Sequence, residues 1–521
     1  MARRVVDLDR LSTAGVREGV LEGRSVTVLG LARSGIALAR FFADAGARVT
    51  VYDARPAADL AGAIDSLGDR VVALRLGPEI DPPTTWAEAD LVATSPSINP
   101  DFPTAEPRLR VALRAVVDSH KADPLRAPAL VSETDLVLRL CPCPTIGVTG
   151  TKGKTTTSSL TAALLTADAA HPVILGGNIG LPIVERLPEL TPEHRVVIEL
   201  SELQIPTLSR GTTVAVYTNV TADHLDRHGS LEAYRAVKRR LAELVDPSGA
   251  LVLNADDPVV AAYSRPRTAP VVTYRLGRAE PPGIGVEDGW MVARGVRRLA
   301  AAGGEAAAEV DAARRIIRVD ELAIPGEHNI SNAMAAVSAA LLFGLGPDAI
   351  RTAAKSFTGV EHRLEQVAVV DGVRFINDSQ GTQPDAVVAA LRAFARPLIL
   401  IAGGRDKGVD MSGLGPVAAE RADAAVLIGE SGPVLAELFR VSGLARVESA
   451  ATLEEAVARG EAIARELLAR AGAGPNGVAT VLLSPAAASF DMFADYEARG
   501  RAFKAAVSAL AAGRLASVIE A

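Results

Sequence analysis

Cysteine is scarce in this chain of 521 residues, which has only Cys141 and Cys143, in the run CPCP. Two cysteines cannot build a disulfide framework, and their spacing is not Cys-x-x-Cys. We therefore expect buried or incidental thiols. Aromatic residues make up 4% of the chain, and no run approaches the roughly 18 apolar residues that a membrane helix needs.

Positive charge is also in short supply, because the formal net charge is -7. This balance argues against general nucleic-acid binding. The N-terminus, MARRVVDLDRL, lacks the apolar core of a signal peptide. Together these absences predict a cytoplasmic protein without membrane insertion. A chain of this length predicts about three domains, and the 49% of hydrophobic residues suffices for a core in each.

The most informative segment is residues 147–157, GVTGTKGKTTT, which follow a short apolar strand. A strand that enters a glycine-rich loop and then a helix turns backbone N–H groups towards an anion. Lys154 adds a mobile positive charge for terminal phosphates, and the Thr155 hydroxyl is placed to ligate Mg²⁺. The loop is tighter than a strict Walker A motif, so it predicts phosphate binding without membership of the common switch-GTPase or motor ATPase families.

The first segment begins with a βαβ pattern of Rossmann type, in which strand 25–29 runs into Gly30-Leu-Ala-Arg-Ser-Gly35. Strand 48–52 follows and ends at Asp53. Ala32 occupies the second glycine position, where close approach of a pyrophosphate requires glycine, so the dinucleotide interpretation is weakened. A nucleotide over this turn and a scaffold without a ligand here both stay open.

Polar residues follow several strands of the second segment, which predicts a ligand site at the carboxyl edge of a mainly parallel sheet. Glu199 ends strand 195–198 and offers a hard oxygen ligand for Mg²⁺, although a solvated strand-end carboxylate is the alternative. His224 follows strand 214–218. Lys238 by itself is typical of a solvated helix face, and nothing in its spacing alone marks it as special.

Two further patterns complete the predicted organisation. Residues 297–314 are predicted to form a surface loop or helix inserted at the edge of the second domain, and Gly326–Asn332 is predicted to cap a helix over 333–343. Strands alternate with helices again from residue 361. We predict an α/β fold of three domains: a Rossmann-like domain over 1–132, a central P-loop ATPase-like parallel-sheet domain over 133–360, and a Rossmann-like domain over 361–521.

Taken together, these motifs resemble the Mur ligases of peptidoglycan synthesis over nearly the whole chain. The resemblance rests on the ordered motifs GVTGTKGKTTT, GGNIG at 176–180, IELSELQ at 198–204, NVTADHLDRH at 219–228, GEHNISNAMAA at 326–336, EHRLE at 361–365, INDS at 376–379, GGRDKG at 403–408, and LSPAAASFDMFADYEARGRAF at 483–503.

The resemblance implies an ADP-forming ligase of peptide-bond chemistry, acting on small molecules in the cytoplasm and most similar to the members that add D-glutamate to UDP-N-acetylmuramoyl-L-alanine. ATP would phosphorylate the substrate carboxylate, and the glutamate amine would attack the acyl phosphate through a tetrahedral intermediate. Two Mg²⁺ ions, a monomeric state, and roles in cell-wall synthesis, cell shape and cell division are expected in the same way.

Residue roles are also implied by the resemblance. The catalytic group would be Lys154, Glu199, His224 and Lys238, the last matching a lysine that is carbamylated in the family. The metal ligands would be Thr155, Glu199, His224 and Lys238. ATP would contact Gly150, Thr151, Lys152, Gly153, Lys154, Thr155, Thr156, Asn329, Arg363 and Asp378. The UDP-substrate would contact Ser34, Asp53, Arg55, Asn178 and His224, and glutamate would contact Thr382, Lys407, Ser489 and Tyr496.

Some positions depart from the family pattern. Gln380 stands where the family often has lysine, Gln383 ends the same motif, and Ser97 replaces a frequent glycine. These changes leave the stereochemistry of the glutamate open. The alternatives are the same chemistry with L-glutamate or another acceptor, a folylpolyglutamate synthase, a nucleotide-binding regulator with a decayed site, and an NAD-dependent dehydrogenase. The N-terminal domain disfavours the folylpolyglutamate synthase, and the intact Lys154 and Glu199 disfavour the regulator with a decayed site. Ala32 disfavours the dehydrogenase.

Overall fold

The computed structural model describes residues 5–8, 11–101, 107–180, 182–221, 225–264, 269–300, 313–324, 326–405, 411–470 and 477–519. Two compact units divide the chain, Met1–Phe357 and Thr358–Ala521. Three sheets, all rich in parallel pairing, confirm the predicted α/β fold class with three domains. The domain boundaries drawn from the sequence stay a prediction. Within the described part of the chain, no helix combines the length and apolar character of a membrane span.

The first sheet has five strands in the order β3-β2-β1-β4-β5, and every pair in it is parallel. This order matches the first five strands of the Rossmann order 3-2-1-4-5-6, with a ligand crevice expected beyond the carboxyl ends of the central strands. Its strands are β1 Ser25–Leu29, β2 Arg48–Asp53, β3 Val72–Leu76, β4 Leu91–Thr94 and β5 Ala129–Ser132. The α-helices that precede the second sheet in the chain are α1 Thr13–Arg17, α2 Arg33–Asp44, α3 Ala61–Asp65, α4 Pro107–Ala122 and α5 Glu133–Leu140.

The second sheet has nine strands in the order β14-β13-β12-β11-β10-β9-β6-β8-β7. Its strands are β6 Thr145–Thr149, β7 Val173–Gly177, β8 Arg195–Glu199, β9 Val214–Tyr217, β10 Ala250–Asn254, β11 Val271–Arg275, β12 Gly283–Glu287, β13 Trp290–Arg294 and β14 Arg314–Arg318. Its helices are α6 Lys154–Leu165, α7 Leu225–His228, α8 Leu231–Leu244, α9 Pro258–Ala261, α10 Glu327–Leu342 and α11 Pro347–Ser356. Strand β6, called the phosphate strand below, lies between β8 and β9. The phosphate loop, residues 150–153, follows it and therefore leaves the sheet between these two strands.

Two local predictions in this domain are corrected by the structure. Residue 314 is not part of an insertion, because it begins β14, which pairs antiparallel with β13 at the sheet edge. Residues 301–312 of that predicted insertion lie outside the described residues. Gly326 does cap a helix, but α10 begins at Glu327, so residues 327–332 of the predicted cap are helical themselves.

The third sheet has six strands in the order β15-β16-β20-β17-β18-β19, parallel except for the β15–β16 pair. Its strands are β15 Glu365–Val370, β16 Val373–Asn377, β17 Leu398–Gly403, β18 Ala424–Ile428, β19 Val447–Ser449 and β20 Ala479–Leu483. Its helices are α12 Pro384–Ala393, α13 Leu414–Arg421, α14 Gly432–Val441, α15 Leu453–Arg470 and α16 Tyr496–Ile519. Buried aliphatic residues fill both faces of the sheet.

Candidate active site

The phosphate loop has the geometry of an anion cradle. Gly150 and Gly153 have φ angles of 151° and 83°, in the left-handed region that favours glycine. Steric crowding also requires glycine at this position, because a Cβ at Gly150 would clash with the Thr218 hydroxyl. Helix α6 begins at Lys154, so its first N–H groups face the loop. The Lys154 ammonium donates to the carbonyl of Thr151 at 2.8 Å, which keeps the charge over the loop.

The remaining predicted phosphate contacts lie on the same loop and helix start. Thr155 is buried, Thr156 is half-buried and the Lys152 side chain is exposed. The Thr151 hydroxyl lies 3.0 Å from the hydroxyl of Tyr234 on α8. The loop is therefore tied to a neighbouring helix as well as to its own strand.

Asn219, which the sequence reasoning did not single out, holds the loop from the end of β9. Its side-chain oxygen accepts from the Lys152 N–H at 2.9 Å, and its side-chain nitrogen donates to the Lys152 carbonyl at 3.0 Å. The Asn219 carbonyl also accepts from the Thr151 N–H at 2.8 Å. The sequence signal that could have identified this residue is an asparagine after the end of β9, the strand that pairs with β6.

Glu199 lies at the same sheet edge, since its Cα pairs in register with Val148 at the end of β6. The carboxylate is buried. One oxygen, Oε1, accepts from the Asn178 side-chain nitrogen at 2.8 Å. The other, Oε2, is buried and has no hydrogen-bond partner among the described atoms. A buried carboxylate oxygen is costly to leave without a partner, and a hard cation such as Mg²⁺ fits this donor.

Asn178 lies close to the same carboxylate, although its side chain is exposed. Its backbone N–H donates to the Glu199 carbonyl at 2.9 Å. The structure therefore brings Asn178, Glu199 and the phosphate loop together at one edge of the second sheet. His224, predicted at this edge, lies outside the described residues.

Lys238 is fully buried on α8, so the interpretation of a solvated helix face is wrong. Its ammonium donates to the Thr149 hydroxyl at 3.2 Å and lies 5.5 Å from the centre of the Tyr234 ring. The Thr149 hydroxyl in turn donates to the Leu200 carbonyl at 2.8 Å. Lys238 is thus connected, through the last residue of the phosphate strand, to the residue that follows Glu199.

In the first sheet, Asp53 ends β2 and is buried beside the turn after β1. One carboxylate oxygen accepts from the Leu31 N–H at 2.8 Å, and Arg55 donates to both oxygens at 3.0 and 2.7 Å. Burial opposes ionisation, but the hydrogen bonds from Arg55 and from the backbone prevail and hold the pKa of Asp53 below its usual value. Ser34 lies half-buried in the first turn of α2. These three residues share the carboxyl edge of the sheet.

Asn329 lies in the first turn of α10, half-buried. Its side-chain oxygen accepts from the Asn332 amide at 3.2 Å. Asn332 is buried against the phosphate loop, because a Cβ at Gly153 would contact its side-chain oxygen. The start of α10 is thereby placed beside the phosphate loop, which explains how Asn329 comes near it.

The second unit holds the other predicted nucleotide residues. Asp378 follows β16 and is buried, accepting from the Ser484 hydroxyl at 2.7 Å and from the Leu364 N–H at 3.2 Å. Burial raises the pKa of Asp378 to about 6, although these hydrogen bonds and the nearby Arg363 oppose the shift. The Arg363 side chain is exposed.

The predicted glutamate residues occupy loops of the same unit. Thr382 follows the β16 end and is half-buried, Ser489 is buried after β20, and Tyr496 begins α16. The Tyr496 carbonyl accepts from the Ser379 hydroxyl at 2.7 Å, which joins the start of α16 to the loop after β16. Lys407 lies outside the described residues.

Arg499 is a residue that the sequence reasoning missed. Its guanidinium is buried and donates to the Ser379 hydroxyl and carbonyl at 3.0 Å each, and to the carbonyls of Ala487 and Ala488 at 3.2 Å. Burial lowers the pKa of Arg499 to about 10, with Asp491 opposing the shift. Arg499 therefore fastens the loop of Thr382 to the loop of Ser489.

Comparisons with known proteins identify the family of the second and third domains. Residues 148–340 match the family described as the Mur ligase middle domain, and residues 362–487 match the Mur ligase, glutamate ligase domain. A Symbiobacterium thermophilum protein named UDP-N-acetylmuramoylalanine--D-glutamate ligase is 38% identical over 501 residues, covering 94% of this chain and 99% of its own. A protein of the same name from Pelotomaculum thermopropionicum is 36% identical, covering 94% and 98%.

Among solved structures, MurF from Acinetobacter baumannii superposes with a TM-score of 0.50 at 14% sequence identity, covering 91% of this chain and 96% of that one. At this identity the likeness bears on the fold alone.

Proposed function

The chain belongs to the Mur ligase family, and we propose that it joins D-glutamate to UDP-N-acetylmuramoyl-L-alanine while ATP is converted to ADP and phosphate. The observation that carries the chemistry is the buried Glu199 carboxylate, with one oxygen open, at the sheet edge that also holds the phosphate loop. The choice of substrates is supported by the names of relatives that match 94% of the chain.

The reaction has to make a carboxylate into an electrophile. The substrate carboxylate oxygen attacks the γ-phosphorus of ATP, and ADP leaves. The glutamate amine then attacks the acyl carbon, the tetrahedral intermediate loses phosphate, and the amine nitrogen gives up one proton, so that the amide keeps one N–H. Lys154, held over the loop by the Thr151 carbonyl, stabilises the negative charge on the transferring phosphoryl group.

We propose that Thr155 and Glu199 hold one Mg²⁺ and that His224 and Lys238, the latter as a carbamate, support a second. Bound Mg²⁺ neutralises charge on the phosphate oxygens. A carbamate would convert the buried Lys238 cation into an oxygen donor, and the contact of Lys238 with Thr149 puts this group next to the phosphate strand. The open oxygen of Glu199 supports the first ion.

The substrate contacts follow from the same family pattern. ATP would lie on residues 150–156 and reach Asn329, Arg363 and Asp378. The uridine end would meet Ser34, Asp53 and Arg55, while Asn178 and His224 would meet the sugar-peptide end. Thr382, Lys407, Ser489 and Tyr496 would hold glutamate, because a cation and hydroxyl groups suit a dicarboxylate. We propose a monomeric, cytoplasmic enzyme of peptidoglycan precursor synthesis.

The test is phosphate release from ATP and Mg²⁺ with UDP-N-acetylmuramoyl-L-alanine, with D-glutamate or L-glutamate in parallel tubes and the product identified by mass. We expect a ligated product with D-glutamate alone. The Lys154→Ala variant serves as the control, because it removes the charge at the transferring phosphoryl group and should release no phosphate above background. A product with L-glutamate alone would overturn the stereochemistry, and no product with either would favour another acceptor or a regulator.

A further inference from the structure

The two cysteines of the chain form a close pair that the proposed reaction does not use. Cys141 Sγ and Cys143 Sγ are 3.4 Å apart, and Cys141 Sγ is also 3.5 Å from the Cys143 carbonyl oxygen. Cys141 is half-buried, whereas Cys143 is buried in the core beneath it. Both thiols are free and Cys143 is buried, as expected from the sequence. Two sulfur atoms in van der Waals contact need only a small movement to bond.

The two thiols have different chemical environments. A hydrogen bond from Cys143 lowers the pKa of Cys141, although burial opposes it, and the same contact together with burial raises the pKa of Cys143. The thiolate is the attacking species in thiol–disulfide exchange. Cys141, the more exposed residue of the two, is thus suited to attack an external disulfide, and Cys143 is placed to resolve the mixed disulfide that results.

The pair lies on the link that feeds the phosphate strand. Helix α5 ends at Leu140, and the Cys141 N–H closes it by donating to the Val137 carbonyl at 2.8 Å. Two residues beyond Cys143, strand β6 begins and runs directly into the phosphate loop. The Pro144 carbonyl accepts from the Val196 N–H at 3.1 Å, at the start of the strand that ends in Glu199.

We propose that Cys141 and Cys143 are a redox-modification site that closes to an intrachain disulfide and slows turnover at the phosphate loop. In the first step the Cys141 thiolate attacks one sulfur of a low-molecular-weight disulfide such as oxidised glutathione, and one thiolate leaves. The Cys143 thiol then loses its proton and attacks Cys141 Sγ, which releases the second thiol. Overall, two protein thiols are oxidised and one external disulfide is reduced to two thiols.

The physical link to turnover is a contraction within a stiff connection. A disulfide has an S–S distance of about 2.05 Å, so the sulfur atoms approach by roughly 1.3 Å from the 3.4 Å in this structure. Pro142 and Pro144 have fixed φ angles. The segment between α5 and β6 therefore has little freedom to absorb the approach of the two sulfur atoms. The displacement is transmitted to Pro144 and to its hydrogen bond with Val196.

The experiment equilibrates the full chain in buffers of reduced and oxidised glutathione, blocks remaining thiols by alkylation and measures the intact mass. We expect wild type to yield an unalkylated species lighter than the dithiol by about 2 Da. Cys143→Ser should stop at one glutathione attached to Cys141, and Cys141→Ser should react at least about tenfold more slowly. If the closed species is absent at every glutathione ratio, the proposal is overturned. The mass measurement does not depend on the proposed ligase activity.

The second measurement compares phosphate release by the closed and open forms. We expect the disulfide form to release phosphate several-fold more slowly than the dithiol form and to regain the dithiol rate in dithiothreitol. Cys141→Ser cannot form the disulfide and should release phosphate at the same rate in reducing and oxidising buffer. A closed form that works at the rate of the open form would overturn the effect on turnover.

Discussion

A fully buried lysine on α8 needs a chemical reason, because transferring an ammonium group out of water is costly. Lys238 contacts a hydroxyl and an aromatic ring at the back of the phosphate strand. A carbamate at this nitrogen would supply the oxygen donors that a metal site requires, whereas an ammonium would repel the metal ion. In the proposed reaction, a carbamate at Lys238 would serve this purpose beside Thr149.

This explanation predicts chemical rescue. Lys238→Ala should lower phosphate release by about 10- to 100-fold, and added formate or acetate should restore part of the rate by supplying a carboxylate in the vacated space. Sodium chloride at equal ionic strength controls for salt, and the same acids added to Lys154→Ala should restore nothing. Equal recovery with chloride and with acetate would contradict the role of a carboxylate-like group at Lys238.

Asp378 carries the clearest pH dependence among the described site residues. Burial raises its pKa from 3.8 to about 6, so the folded state binds the proton more tightly than the unfolded state does. Between pH 3.8 and about 6 the folded protein holds more protons at this group, and its contribution to stability therefore falls as pH rises and is constant above about pH 6. The shift corresponds to roughly 3 kcal/mol.

We predict that Asp378→Asn removes this dependence. Hydrogen exchange at the amides of Val373–Asn377, compared between wild type and variant at each pH, should show the variant gaining relative stability from pH 4 to pH 6 and no further change to pH 8. The difference should approach roughly 3 kcal/mol. A difference that is independent of pH would show that the carboxyl titrates in its ordinary range.

At the scale of elements, the phosphate loop depends on its neighbours for its shape. Asn219 supplies two hydrogen bonds to Lys152 from the end of β9, and Asn332 lies under Gly153 from α10. With the contact between Thr151 and Tyr234 of α8, three elements therefore fix a loop that has no regular backbone pairing of its own. Because the loop must present its N–H groups before the nucleotide arrives, these supports contribute to affinity rather than to the chemical step.

Asn219→Ala should accordingly raise the KM for ATP by about tenfold, the equivalent of losing one or two modest hydrogen bonds, with a smaller change in kcat. Asn219→Asp is the matched variant, since it keeps an oxygen for the Lys152 N–H but loses the donor to the Lys152 carbonyl. The KM of Asn219→Asp for ATP should lie between those of wild type and of Asn219→Ala. Steady-state kinetics with varied ATP checks this, and an unchanged KM in the alanine variant would refute the supporting role.

The elements also show what the sequence allowed us to predict. Buried parallel strands such as β6 and β17 were recognisable because both faces are covered and the residues form apolar runs. The edge strands β14 and β15 were missed, because half-exposed edge positions carry arginine and glutamine that break the pattern. The burial of Lys238 was also missed, although the residue lies between Tyr234 and Leu241 on the buried face of α8, because a lysine breaks the apolar pattern of that face.

At the scale of the whole molecule, the predicted nucleotide residues are divided between the two compact units. The phosphate loop and Asn329 belong to the unit Met1–Phe357, whereas Arg363 and Asp378 belong to Thr358–Ala521. All predicted glutamate residues lie in the second unit, and the open Glu199 carboxylate lies in the first. Under the proposed roles, the glutamate-binding residues and the Mg²⁺ ligand Glu199 therefore belong to different units.

This division predicts that ligands bring the units together. Small-angle scattering should give a smaller radius of gyration when a non-hydrolysable ATP analogue, Mg²⁺ and UDP-N-acetylmuramoyl-L-alanine are added, because the nucleotide would be shared between the loop and Arg363. Glutamate alone, which would contact a single unit, should leave the radius unchanged. Arg363→Ala is the matched variant: its exposed side chain can be removed with little effect on folding, and it should bind the analogue more weakly and compact less. If the scattering of wild type is the same with and without the ligands, the nucleotide is not shared between the units, and the roles proposed for Arg363 and Asp378 are wrong.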